Sequence, residues 1–100
     1  MSKKIGKNII GYAHLKPIGD GYDLINITVL PSHRNQGIAK KMLSRLIAFA
    51  KNRPIMLEVR KSNSAAIALY TSLGFKTISE RKNYYQNEDA WVMKNENSCN

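Results

Sequence analysis

Apolar and polar positions in this 100-residue chain alternate, shift to a helical period, and alternate again. Residues 8–15, NIIGYAHL, are dense in apolar and aromatic side chains and predict a strand. The KPIGDG that follows is a cluster of turn formers. In YDLINITVL, Leu24, Asn26 and Thr28 alternate with Ile25, Ile27 and Val29, the two-residue period of a strand. The two segments predict an antiparallel hairpin with a loop longer than two residues. Pro31 ends the second strand, and after SHRNQ the period becomes helical. Ile38, Met42, Leu43, Leu46, Ile47 and Ala50 share one face, with Lys40, Lys41, Ser44 and Arg45 opposite. This predicts an amphipathic helix from Gly37 to Asn52, stopped by Pro54.

IMLEVR, nearly continuous in its apolar start, predicts a central strand. KSNS supplies capping residues for a second helix from Ala65 to Leu73, closed by Gly74. FKTISERKNYY and AWVMK predict two further strands around the polar turn QNED. With the order strand, strand, helix, strand, helix, strand, strand, an α/β (α+β) fold is expected, with a mixed, mostly antiparallel sheet and two helices. One domain spans residues 1–94, and residues 95–100 form a polar tail.

Composition narrows the function classes. With 43% hydrophobic residues the chain can build a core, but one hundred residues leave a thin stability margin. The apolar runs are too short for a membrane span, and Gly11 and His14 break the N-terminal run, which makes a poor signal peptide. The single cysteine, Cys99, cannot form an internal disulfide, so a cytoplasmic protein is expected. His14 and His33 are isolated and form no metal constellation. The net charge of +9 fits a solvated basic surface as well as attraction to a polyanionic cofactor, nucleic acid or acidic protein. The basic residues are dispersed and not interleaved with aromatics, which weighs against nucleic acid.

Chemistry enters at VLPSHRNQGIAKKM, where a strand ends and a helix begins at a glycine. Helix-start N–H groups lack internal partners, and the helix dipole adds positive charge there, a setting that suits a pyrophosphate. Gly37 and Ala39 permit close approach, and Arg34, Lys40 and Lys41 add charge. Read alone, the stretch fits an ordinary strand-to-helix turn as well.

Taken with LEVRKSNSAAIALYTSLGF downstream, the stretch resembles the GNAT superfamily of N-acetyltransferases. Its acyl-CoA signature R/Q-x-x-G-x-G/A is matched by Arg34, Asn35, Gln36, Gly37, Ile38 and Ala39. The downstream segment, with RKNYY and EDAWVM, is similar to the bacterial branch that acetylates the N-terminal alanine of a small-subunit ribosomal protein. The resemblance covers nearly all of residues 5–94. It implies acetyl-CoA as co-substrate, with no metal. The pyrophosphate would lie on Arg34 through Lys40 and the pantetheine arm along the backbone of Ile27, Thr28 and Val29. Asn63 would contact CoA, and its other reading is a helix cap.

Acetyl transfer to an amine needs a base, an oxyanion donor and an acid for the departing thiolate. In the branch resembled, the glutamate of LEVR is the base and the tyrosine of IALY the acid, which implies Glu58 and Tyr70. From the residues alone, Glu58 fits an ion pair with Arg60 or a nearby lysine, and Tyr70 a half-buried aromatic. Tyr84 and Tyr85 fit either an acceptor channel or sheet packing, and Trp91 the core. The implied acceptor is a protein or peptide N-terminus. A small-molecule amine or an aminoacyl-tRNA on the same chemistry, or a CoA-binding or partner-binding remnant without turnover, are the alternatives.

Family members normally carry a strand, two helices and a second strand before the hairpin, so a minimal form, a fragment or a degenerate copy is expected here. Its first strand would expose an edge and the apolar Ile9, Ile10, Tyr12 and Leu15. A homodimer, or a partner supplying the absent portion, is expected to cover them.

Overall fold

A computed structural model of the chain describes the backbone of residues 2–5, 8–29, 37–85 and 88–95, and the side chains of 11–29, 37–83 and 88–95. The strands are β1 (Ser2–Ile5), β2 (Asn8–Ile18), β3 (Gly21–Val29), β4 (Ile55–Arg60), β5 (Phe75–Tyr85) and β6 (Glu88–Asn95). The helices are α1 (Ile38–Ala50) and α2 (Ser64–Ser72). All six strands form one sheet in the order β1-β2-β3-β4-β6-β5. Only β3 and β4 run parallel; the other neighbours are antiparallel. This is the expected mixed, mostly antiparallel architecture with two helices.

Two local expectations are corrected. The hairpin loop is only Gly19-Asp20, because β2 continues through Pro17 and Ile18, which pair with Tyr22 and Gly21. Proline is tolerated because β1 flanks β2 only as far as Tyr12, leaving no ladder partner among the described residues on the other side of Pro17. The second correction is β1 itself. SKKI carries one apolar residue and no strand period, yet Ser2 pairs with Tyr12 and Ile5 with Asn8. The edge expected on the first strand is therefore covered over residues 8–12 by a short, lysine-bearing strand, a common way to blunt a sheet edge. The side chains of Ile9 and Ile10 lie outside the described residues.

A single buried cluster joins both helices to the sheet. Met42, Leu43 and Leu46 of α1, Tyr70 of α2, and Ile55, Leu57 and Val59 of β4 meet there, with Phe75 and Met93 from the last two strands. Alternation along β4 sends Met56, Glu58 and Arg60 to the opposite side of the sheet. Trp91, expected in the core, is only partly buried; it packs against the cluster, with the Lys61 ammonium 4.2 Å from its ring centroid.

Candidate active site

The sheet opens in its middle. β3 and β4 pair only at Tyr22–Ile55 and Asp23–Met56, tied at the same end by the Tyr22 N–H donating to the Pro54 carbonyl at 2.9 Å. Gly21 makes that approach possible, since a Cβ there would collide with the Pro54 carbonyl. One residue further on, β3 bulges. His14 faces Asn26 and Leu15 faces Leu24, so Ile25 is the extra residue. The bulge resets the side-chain phase. Leu24 and Val29 are both buried although an odd number of positions apart, while Ile25 is 54% exposed. Bulges bend the strand that carries them, and this one lies where β3 departs from β4.

The resulting wedge, about 180 Å³, is bounded by residues 24–27 of β3, residues 57–60 of β4, Asn63 and Tyr70. A wider cleft of about 570 Å³ adjoins it, lined by Ile18, Asp23, Met56, Ser79 and Arg81 among others. Glu58 lines both spaces. The strand carboxylate and the helix tyrosine of the sequence reading thus border one wedge, each delivered by a different element.

Their surroundings differ. Tyr70 is 8% exposed, its ring tilted against Phe75 with centroids 5.8 Å apart. Its packing role and its place on the wedge hold together. Glu58 accepts a hydrogen bond from Arg81 Nη1 at 2.5 Å, and Arg60 faces Glu88 at 3.5 Å. Glu58 and Arg60 share one strand, two residues and about 6–7 Å apart along it. Arg81 reaches from β5 across β6, where its register partner is the small Ala90 and the partner of Glu58 is Val92. Nothing in the local sequence marks this contact, because it spans three strands.

Asn63 caps α2, its Oδ1 accepting from the Ala66 N–H at 3.2 Å. At the start of α1, Gly37 has φ 72°, the left-handed region that favours glycine, and makes no side-chain cap hydrogen bond. The first intrahelical bond is the Lys41 N–H donating to the Gly37 carbonyl at 3.0 Å. The N–H groups of Ile38, Ala39 and Lys40 therefore precede the helical ladder. The Ile38 side chain is buried and Lys40 is exposed. Arg34, Asn35, Gln36 and His33 lie outside the described residues, as does Cys99. Ile27, Thr28 and Val29 are on β3 beyond the end of the β3–β4 ladder, with the Thr28 hydroxyl donating to Asn26 Oδ1 at 3.1 Å. Tyr84 and Tyr85 close β5, Tyr85 opposite Glu88; their side chains lie outside the described residues. His14 is exposed. Among the described residues, no group of three or more His, Cys, Asp or Glu is placed to hold a metal ion. No described helix is long and apolar enough to cross a membrane.

The turn after β4 is clamped by the β5–β6 hairpin. Glu88 Oε2 accepts from the Ser62 N–H at 2.7 Å. Asp89 Oδ1 accepts from the Asn83 N–H at 2.8 Å, steadying a β5 bulge in which Asn83 takes φ 54°. Lys61 and Lys82 both pair with Glu80 and with Asp89. Hydrogen bonds from Ser62, aided by Arg60, hold the Glu88 carboxyl below its ordinary value of 4.5. The Asn83 N–H, aided by Lys82 and Lys61, holds Asp89 below 3.8. Carboxyls depressed on folding stabilise the folded form fully above their ordinary values and lose that effect as pH falls through the depressed ones. Amide exchange at Ser62 and Asn83, corrected for its intrinsic pH dependence, should therefore be steady from neutral pH down to about 5 and lose protection below about 4. Protection that instead grows on acidification would contradict this clamp.

Comparison with known proteins gives the class. The Acetyltransferase (GNAT) family profile matches residues 2–75, and the chain belongs to that family. It is 45% identical over 86 residues to the [ribosomal protein bS18]-alanine N-acetyltransferase of Haemophilus ducreyi, covering 83% of this chain and 59% of that protein. The crystal structure of the ribosomal-protein-S18-alanine N-acetyltransferase from Escherichia coli superposes with TM-score 0.90 at 36% identity, over 97% of this chain and 67% of that one. A GNAT family acetyltransferase from Elizabethkingia anophelis with acetyl-CoA bound gives TM-score 0.86 at 27% identity, over 93% and 72%. The chain spans about three-fifths of the length of curated relatives such as these.

Proposed function

We propose that this protein transfers the acetyl group of acetyl-CoA to the N-terminal α-amine of a protein or peptide, with Glu58 as base and Tyr70 as acid. The observation that carries the reading is that Glu58 and Tyr70 border the same wedge between β3 and β4. The kinship with alanine N-acetyltransferases supports the acceptor class.

The residues present fit the co-substrate. Among the described residues, a Cβ on Gly37 would meet nothing within 4 Å, beside N–H groups that can bind phosphate oxygens. Past Asp23, β3 no longer pairs with β4, which leaves room for an extended amide-bearing arm along residues 27–29. Bound acetyl-CoA supplies the acyl thioester. An α-amine with pKa of about 8 is largely protonated at neutral pH, and Glu58 takes its proton, directly or through water. Tyr70, on the opposite wall, donates its phenolic proton to the departing sulfur.

Incubation of the chain with acetyl-CoA and peptide, polyamine or aminoacyl-tRNA acceptors, scored by thiol release, tests the reading. Release is expected with an alanine-starting peptide. Release only with a polyamine or aminoacyl-tRNA would reassign the acceptor, and tight CoA binding without release to any acceptor would leave a CoA-binding module.

A further inference from the structure

The wide cleft holds a cation of the protein's own at the carboxylate proposed as base. Arg81 Nη1 lies 2.5 Å from Glu58 Oε2, at an oxygen that a substrate ammonium handing its proton directly to that carboxylate can also use. Arg81 lines the wide cleft and Tyr70 the wedge, while Glu58 borders both. The guanidinium therefore meets Glu58 at the wall of the wide cleft. The pair is open to water, with the Arg81 side chain 55% exposed and that of Glu58 26%. Exposed pairs of this kind are weak, so an incoming ammonium can displace the guanidinium.

From this geometry, and resting on the acetyl-transfer reading above, we infer that Arg81 is a specificity-determining residue of the acceptor cleft. It occupies Glu58 until an acceptor ammonium replaces it, and it then remains beside the acceptor as a planar donor. An α-amine of a peptide carries a carbonyl oxygen only a few bonds from its nitrogen, and a guanidinium turned off Glu58 can donate to that oxygen. A polyamine offers methylenes and a second ammonium at the same place, which Arg81 repels. Arg81 thus favours peptide α-amines over polyamines at a cleft whose other charged side walls, Asp23 and Glu58, would attract any cation. Lysine in its place would keep the repulsion but lose the fork of donors.

The test is calorimetric titration of an alanine-starting hexapeptide and of spermidine onto the full chain saturated with CoA, which carries no acetyl group and permits no turnover. The wild-type protein is expected to prefer the peptide. In Arg81→Ala the peptide-to-spermidine affinity ratio should fall about tenfold, a change of about 1.4 kcal/mol, through tighter spermidine and weaker peptide binding. Arg81→Lys should retain the weak spermidine binding and lose part of the peptide affinity. In turnover, the change should fall on the acceptor KM, with kcat altered far less. An unchanged ratio in a folded Arg81→Ala protein, an equal loss for both ligands, or no peptide binding to the wild-type protein would overturn the inference. A ratio that depends on Arg81 in a protein releasing no thiol from acetyl-CoA would sustain the inference and defeat the acetyl-transfer reading instead.

Discussion

Glu58→Gln should lower turnover on an alanine-starting peptide about a hundredfold to ten-thousandfold, the range for loss of a general base. The substitution is nearly isosteric, and the amide oxygen can still accept from Arg81, so the cleft keeps its shape. What disappears is the capacity to hold a proton. Tyr70→Phe should cost a comparable factor through the leaving group, since only the hydroxyl is removed. The tilted contact with Phe75 at 5.8 Å depends on the ring and survives. Neither change should alter CoA affinity by more than a few-fold, because the cofactor contacts proposed here are chiefly backbone groups. Single-turnover thiol release with each variant, alongside a CoA titration, checks both statements. Near-normal turnover in either variant removes that residue from its role.

Gly37→Val should weaken CoA binding sharply, and the cause can be isolated. Gly37 adopts φ 72°, and among the described residues nothing lies within 4 Å of where its Cβ would be. Valine is thus strained by its backbone, at a cost of about 1–2 kcal/mol for a left-handed residue. The added methyls would stand over the first-turn N–H groups, where a pyrophosphate must approach closely. Gly37→Asn separates the two effects, since asparagine tolerates the left-handed region while still filling the space. Both variants should lose CoA affinity, by about tenfold or more, and only valine should also lower the melting temperature. Unchanged CoA affinity in a folded Gly37→Val protein would move the pyrophosphate elsewhere.

The helices and the inner strands were legible because their signals are local. The four-residue spacing from Ile38 to Met42, Leu46 and Ala50, Asn63 as cap and the continuous IMLEVR each carry their own instruction. β1 was not legible, since SKKI has no period and owes its strand form to the ladder that β2 offers. The short hairpin loop was missed because Pro17 reads as a breaker until the edge position of that part of β2 is known. The bulge at Ile25 was hidden inside an apparently regular alternation, which assigns Leu24 and Val29 to opposite faces. Glu58 and Tyr70 were reached through family resemblance to LEVR and IALY, not through periodicity. The pairing of Glu58 with Arg81 depends on strand order across β4, β6 and β5, which no local pattern encodes.

In the proposed reaction, a carboxylate and a phenol on the two walls of one wedge move the protons of an acetyl transfer. Mass spectrometry of an alanine-starting peptide after incubation with acetyl-CoA tests it most directly, using the wild-type chain and the Glu58→Gln/Tyr70→Phe double variant. One acetyl group is expected on the N-terminal nitrogen with the wild-type protein, and acetylation slowed at least about a hundredfold with the double variant. Equal acetylation by both proteins, or none by a folded wild-type protein that binds acetyl-CoA, would contradict it.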